Sequence, residues 1–328
     1  MTRKPLDIVF MGNPDFSVPS LQQLHQSRHN VVAVVTGSDK RRGRGGATSP
    51  SPVKSAANAL SLNVIEADAM RDPALQKELA ALDPDLLVVV AYKLLPPEML
   101  AIPKIGSLNL HASLLPKYRG AAPIHWALVN GETETGCTVF LLDEGMDTGM
   151  ILGREKTPVG PLETTGDLYG RLKEMGAGLL VRTVDRIAEG THTVQPQADA
   201  RATRAPKIHP DDARIDFQRD SVEVHNFIRG MSPFPGAWTL HEGRKLKIYR
   251  TEPAPGDEPS PGAEPAPGAE PAPGAELSPG EAGIIDGKGC VGCRDGCVIL
   301  AEVQPEGKKR MSGADFLNGL GGHTFFSS

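Results

Sequence analysis

Residues 7–16 read DIVFMGNPDF. The apolar run is too short for a helix and stops at a Gly-Asn-Pro turn, so Asp7–Met11 is read as a strand buried on both faces. Working outward, Val31–Thr36 (VVAVVT) and Leu86–Ala91 (LLVVVA) repeat the pattern, and a further strand is expected at Thr138–Leu142. Between and beyond them, Val18–Gln26, Pro73–Leu82 and Leu168–Gly190 read as helices. Strands alternating with helices predict an α/β domain with a Rossmann-like, doubly wound, mostly parallel sheet. The turn after the first strand lacks the G-x-G-x-x-G spacing, which weighs against a nicotinamide enzyme.

At 328 residues the chain has room for two domains. The helical and strand pattern breaks at residues 200–210 (ARATRAPKIHP), so a first domain is expected over 1–205 and a second over 206–328. In the second, Asp212–Arg229 reads as a turn, a short strand-like IDF and a helix. Trp238–Leu240, Lys245–Tyr249, Gly283–Ile285 and Cys297–Val303 read as strands of a small β-barrel. Glu252–Glu281 consists of near-repeats of P-A-P-G-A-E with almost no apolar bulk. It is expected to be an insertion between two barrel strands that is disordered or partly polyproline II.

The net charge of −5 gives no global basic signal, so any nucleic-acid contact must rest on local clusters. One is Asp39–Lys54 (DKRRGRGGATSPSPVK), read as a long exposed basic loop with five Lys/Arg against one Asp. The other is Lys308-Lys309-Arg310. Cys290, Cys293 and Cys297 form C-x2-C-x3-C, but no fourth ligand lies near. They are read as small residues of a strand–turn–strand region, and no metal is expected. No run of apolar residues approaches the length of a membrane helix, and the N-terminal run is too short for a signal-peptide core. A cytoplasmic location is expected, with no membrane partner and no sign of a dimer, hence a monomer.

Asn109 and His111, within SLNLHASLLPKYR (107–119), are two residues apart. On a strand that spacing points both to one face. The C-terminal end of a parallel strand is where open α/β sheets place their ligands. Asp147, in the acidic turn DEGMDTG (143–149), could complete an amide–imidazole–carboxylate set. From spacing alone, an N-x-H pair is a weak signal, and a structural role is the more ordinary one.

The longer stretches SLNLHASLLPKYRGAAPIHWAL and ETGCTVFLLDEGMDTGMIL resemble the folate-dependent formyltransferase family. GNPDF, the GRG…PSPVK loop, ARIDF…IRGMSPFPGAWT and EVQPEGKKRMSGADFLNG are similar to the branch that formylates initiator methionyl-tRNA. The resemblance covers nearly the whole chain except the insertion. It implies a formyltransferase catalytic domain followed by a smaller OB-like barrel that helps hold tRNA. It also implies 10-formyltetrahydrofolate as co-substrate and initiator methionyl-tRNA as partner. Asn109 then matches the amide that donates to the oxyanion. His111 matches the imidazole that stabilises the oxyanion or relays a proton, and Asp147 the carboxylate that orients it and accepts the amine proton. Ser113, Leu114, Leu115 and Pro116 match the folate-binding loop, with Val90 and Tyr92 in a wall of the pterin pocket. Arg41, Arg42 and Arg44 fall in the loop expected against the acceptor stem, and Lys308, Lys309 and Arg310 in the barrel patch. The chain departs from the family at Lys93, where glycine is usual; this side chain either crowds the pterin edge or points to solvent. It departs again at Gly46-Ala47, where lysine is common.

Overall fold

The computed structural model describes residues 4–42, 47–254 and 277–327. It divides into two compact units. The first takes Met1–Ala121, Thr135–Thr157 and Tyr169–Ala205; the second takes Ala122–Glu134, Pro158–Leu168 and Pro206–Ser328.

The first unit is built on β1 (Asp7–Gly12), β2 (Asn30–Thr36), β5 (Val64–Glu66), β6 (Leu86–Val90), β7 (Gly106–His111), β8 (Glu134–Leu141) and β9 (Ile151–Pro158). They lie in the order β5-β2-β1-β6-β7-β8-β9. β5, β2, β1, β6 and β7 run parallel, while β8 is antiparallel to β7. The sheet is therefore Rossmann-like and mostly parallel. Every residue of β6 is buried, as the unbroken LLVVV run requires of a strand covered on both faces. Its odd-numbered positions, Leu87 and Val89, share a core with Val9, Met11, Ala33 and Val35 under Leu75 and Leu79 of the helix Pro73–Ala81. Strand order diverges between β1 and β6, which sets the switch point where such sheets hold ligands. Gly12 pairs with Val90 and Val90 with Leu110, so the C-terminal ends of β1, β6 and β7 finish level.

The basic stretch is more structured than its composition suggests. β3 (Lys40–Arg42) and β4 (Ala47–Ser49) form a two-stranded ribbon in which Arg41 pairs with Thr48. A helix follows over Pro52–Ala59. Ser51 is its N-cap, accepting from Lys54 N at 2.9 Å, and Pro52 occupies the first turn. Lys54 is bound by Asp39 at 2.7 Å and Glu66 at 2.8 Å, so it braces the fold.

The second unit is a six-stranded antiparallel sheet of β10 (Ala237–His241), β11 (Arg244–Pro253), β14 (Cys297–Pro305), β13 (Lys288–Gly292), β12 (Glu281–Ile285) and β15 (His323–Phe325), in that spatial order. A bridge between Leu240 and Ser327 joins its two edges, giving the OB-like barrel. Its core gathers Phe217, Ile228, Ile248, Val298, Leu317 and Phe326. Two segments from earlier in the chain belong to this unit. Gly230 lies so close to the helix Pro123–Val129 that a Cβ there would meet Val129 Cγ2 at 2.6 Å. Buried Arg229, in the helix Ser221–Met231, donates to the carbonyls of Gly160 at 3.0 Å and Glu163 at 3.3 Å.

The ends of the low-complexity insertion are ordered, which corrects its expected limits. Glu252 and Pro253 pair with Ile299 and Val298, and Glu281 begins β12. Ala254 and Leu277 share a small cluster with Cys290, Cys297 and Ile299. Cys293 instead lies in the main barrel core, so the three thiols do not converge.

Candidate active site

Period-two alternation puts Asn109 and His111 on one face of β7, while Leu110 points the other way, toward Gly176 and Cys137. The Asn109 amide is half-buried and makes no hydrogen bond among the described residues. His111 is buried, and its Nε2 lies 2.8 Å from the Tyr118 carbonyl. A carbonyl only accepts, so Nε2 carries the hydrogen and neutral His111 turns the lone pair of Nδ1 the other way. There Asp147 Oδ2 stands 3.8 Å from Nδ1, beyond hydrogen-bond length but within ion-pair range. The same oxygen accepts from Gly120 N at 2.8 Å.

Two residues that set this geometry sit in the left-handed region, Tyr118 with φ 62° and Asp147 with φ 56°. Ala91, just past β6, is a third with φ 46°. Such conformations cost about 1–3 kcal/mol each and persist where their surroundings over-determine them, as at functional sites. The turn before Asp147 is fixed by Asp143, whose Oδ1 accepts from Thr148 Oγ1 at 2.6 Å and Gly145 N at 3.0 Å. Gly149 ends it where a Cβ would lie 1.7 Å from the Leu141 carbonyl, a spacing only glycine permits.

The loop Ser113–Pro116 is largely self-satisfied. Ser113 donates to the Lys117 carbonyl at 2.6 Å, and Thr138 Oγ1 links the Ser113 carbonyl to Leu115 N. Leu115 packs with Phe140 and Ile151, leaving Leu114 as the partly exposed apolar side chain. Val90 is fully buried, and its carbonyl accepts from Ser17 Oγ at 2.7 Å. Tyr92 donates to the Ala67 carbonyl at 3.0 Å, and burial pushes its phenol up to about 12. Lys93, where the family usually has glycine, makes backbone contacts of its own. It folds back so that Nζ donates to the carbonyls of Asp68 at 2.6 Å and Ala67 at 3.2 Å.

After β1, Asn13 Oδ1 accepts from Thr36 Oγ1 and Gly37 N, both at 2.8 Å, and Phe16 is buried. GNPDF thus closes the end of the sheet with side chains where a dinucleotide fold keeps a glycine turn. Buried Cys137, its thiol pushed up to about 12 by desolvation, is unsuited to be a nucleophile. Among the described residues no group of three or more His, Cys, Asp or Glu could hold a metal ion. None of their helices is long and apolar enough to cross a membrane.

Of the basic residues, Arg41 and Arg42 lie on the ribbon strand β3, and Arg44 lies outside the described residues. Lys308 and Lys309 are exposed just after β14. Arg310 pairs with Glu302 at 3.0 Å and stacks 3.6 Å from the centre of the Tyr249 ring. Sequence reasoning missed the parts played by the Tyr118 carbonyl and Gly120 N. The Tyr118-Arg119-Gly120 turn beside the folate loop was the available signal.

The family model described as "Formyl transferase" matches residues 6–184, and "Formyl transferase, C-terminal domain" matches 207–321. A methionyl-tRNA formyltransferase from Citrifermentans bemidjiense is 42% identical over 95% of this chain and 93% of its own length. One from Chlorobium chlorochromatii is also 42% identical, over 95% and 96%. Among solved structures, an N-formyltransferase from Helicobacter canadensis in complex with folinic acid and dTDP-3-aminofucose has TM-score 0.66 at 20% identity, over 92% of this chain and 99% of that one. HypX from Aquifex aeolicus in complex with tetrahydrofolic acid has TM-score 0.60 at 18%, over 96% and 47%. The chain belongs to the formyl transferase family, in the branch of the methionyl-tRNA formyltransferases.

Proposed function

We propose that this protein transfers the formyl group of 10-formyltetrahydrofolate to the α-amino group of methionine on initiator methionyl-tRNA. What supports the chemistry is that Asn109 and His111 share one face of β7 at its C-terminal end, that Asp147 Oδ2 stands 3.8 Å from His111 Nδ1, and that the Asn109 side-chain amide has no hydrogen-bond partner among the described residues. The amine attacks the formyl carbon, a C–N bond forms, and the carbonyl electrons move to oxygen. The Asn109 amide donates to that oxyanion in a site partly screened from water, where one such donor supplies roughly 3–4 kcal/mol. The nitrogen must then shed a proton. The lone pair of His111 Nδ1 receives it, and Asp147 stabilises the resulting imidazolium. The bond from the folate nitrogen to the formyl carbon breaks as that nitrogen gains a proton, so the net exchange is one proton for one formyl group.

The pterin sits at the switch point beside the backbone that follows Val90, near Tyr92 and the loop Ser113–Pro116, with Leu114 as an apolar contact. Residues 1–205 supply catalysis and 206–328 hold tRNA. Arg41, Arg42 and Arg44, and separately Lys308, Lys309 and Arg310, contact phosphates. Such contacts give orientation and salt-sensitive affinity without reading sequence. The protein acts as a cytoplasmic monomer. The test is formyl transfer from 10-formyltetrahydrofolate to charged initiator tRNA, beside elongator methionyl-tRNA and no-acceptor controls. Rapid transfer to the initiator alone is expected. Folate turnover without formylated tRNA would replace the acceptor with water or a small amine.

A further inference from the structure

Residues 185–206 lie outside both family-model matches, yet this stretch is woven into the site. Ile151 and Gln195 exchange backbone hydrogen bonds at 2.8 and 2.9 Å. Further on, Arg119 N donates to the Thr203 carbonyl at 2.9 Å and Ala205 N to the Arg119 carbonyl at 2.7 Å. Thr203 Oγ1 accepts from Tyr118 N at 2.8 Å. The strap thereby fixes the left-handed residue whose carbonyl sets the tautomer of His111. A Cβ on Gly120 would stand 2.5 Å from the Ala205 carbonyl, so the two strands of chain meet with no room to spare.

Midway, Gln197 does for Asp147 what Thr203 does for Tyr118. Its Nε2 donates to the carbonyls of both Asp147 and Gly149, each at 2.8 Å. Its Oε1 is held by Arg119 through Nε at 3.1 Å and Nη2 at 2.8 Å, which fixes which end of the amide faces the turn. The same Nη2 is anchored by Asp199 at 2.7 Å.

We infer that Gln197, seated by Arg119, is a positioning residue for formyl transfer, and that the segment between the two family-matched regions is a working part of the catalytic site. Gln197 touches neither reacting atoms nor the Asp147 carboxylate. It bridges two carbonyls across a turn that carries a strained residue, and so sets the reach of Oδ2 toward His111. A shift of about 1 Å in such a group costs on the order of 10²-fold in rate.

The inference rests on the proposed reaction, and three variants with two readouts keep the two separable. Gln197→Ala removes the clamp. Gln197→Glu keeps its shape and its Arg119 partner but replaces the two N–H donors with oxygen. Arg119→Gln unseats it. Expected are a kcat lowered roughly 10- to 100-fold in both Gln197 variants, KM for folate and tRNA nearly unchanged, and a displaced pH profile of kcat. The second readout is the His111 imidazole titration by NMR, which needs no turnover and should move in all three variants. A Gln197→Glu enzyme matching wild type in kcat and in the His111 titration would mean that the side chain only fills space, and would overturn the inference. If the wild type transfers no formyl group to methionyl-tRNA, the functional reading falls, and the His111 titration still decides whether Gln197 positions the pair.

Discussion

Asp147 combines an acidic side chain with a left-handed backbone, and a substitution there has to separate the two. Alanine would remove the carboxylate and also resist the positive φ, whereas asparagine visits that region readily. Asp147→Asn should therefore lower kcat about 10²- to 10⁴-fold, the usual worth of an acid–base group, because His111 works as one only with the carboxylate beside it, while tRNA binding by filter retention stays near wild type. Single-turnover rates check this, and near-normal turnover would remove Asp147 from the chemistry. At this scale the sequence was informative about side chains and silent about backbone. The two-residue spacing of Asn109 and His111 follows from the pleat alone. That a main-chain carbonyl of Tyr118 would choose the tautomer of His111 follows from no pattern of residue types. That the Lys93 ammonium would reach the carbonyls of Ala67 and Asp68, 26 and 25 residues earlier, likewise follows from no local pattern.

Elements were legible where burial is two-sided and obscure where polar residues cap or connect. β6 announced itself because each of its five residues is buried. The helix Pro52–Ala59 hid within a loop-like composition, although Ser51 followed by Pro52 is a start signal for a helix. The expected limits of the low-complexity insertion were misjudged at the margins, where Glu252, Pro253 and Glu281 look like the repeat but pair in the barrel; residues 255–276 lie outside the described residues. Removal of Glu252–Glu281 would take away rungs of β11 and the start of β12. Replacing residues 256–275 with a short Gly-Ser linker spares both. Because Ala254 and Leu277 share one apolar cluster, the linker has little distance to cover. Loop length is thermodynamically cheap to change. The shortened protein should keep its thermal midpoint and formylation rate within about twofold, read by scanning calorimetry and the transfer assay. A large drop in rate would give the insertion a role in tRNA handling.

For the whole molecule, stability is tied to three histidines held neutral: His29 in the first unit, and His125 and His225 in the second. Burial lowers each below the ordinary histidine range. His225 shows why. Its ring is buried, with Nε2 donating to the Pro161 carbonyl at 2.9 Å, and in the neutral form Nδ1 is left to accept from Thr251 Oγ1 at 2.9 Å. The unfolded chain binds protons on these rings from about pH 6.5 downward. Between that pH and the depressed folded values it holds more protons than the native state, so stability is present above pH 6.5 and declines as pH falls. The thermal midpoint should drop steadily from pH 7 to pH 5. His225→Gln should start lower and lose part of that slope; an unchanged slope would mean that His225 takes no part. The division into units was the least legible feature, because Ala122–Glu134 and Pro158–Leu168 join the barrel through contacts with residues far away in sequence, such as Arg229 with Gly160, 69 positions apart, and His125 with Phe234, 109 apart. The polypeptide accordingly passes between the two units several times before it settles in the second. A protease that cuts once, after Ala205, would leave the larger fragment still holding two pieces of the smaller one's fold. A gene trimmed to codons 206–328 would encode a barrel lacking the carbonyls that its buried arginine and histidine were built to meet.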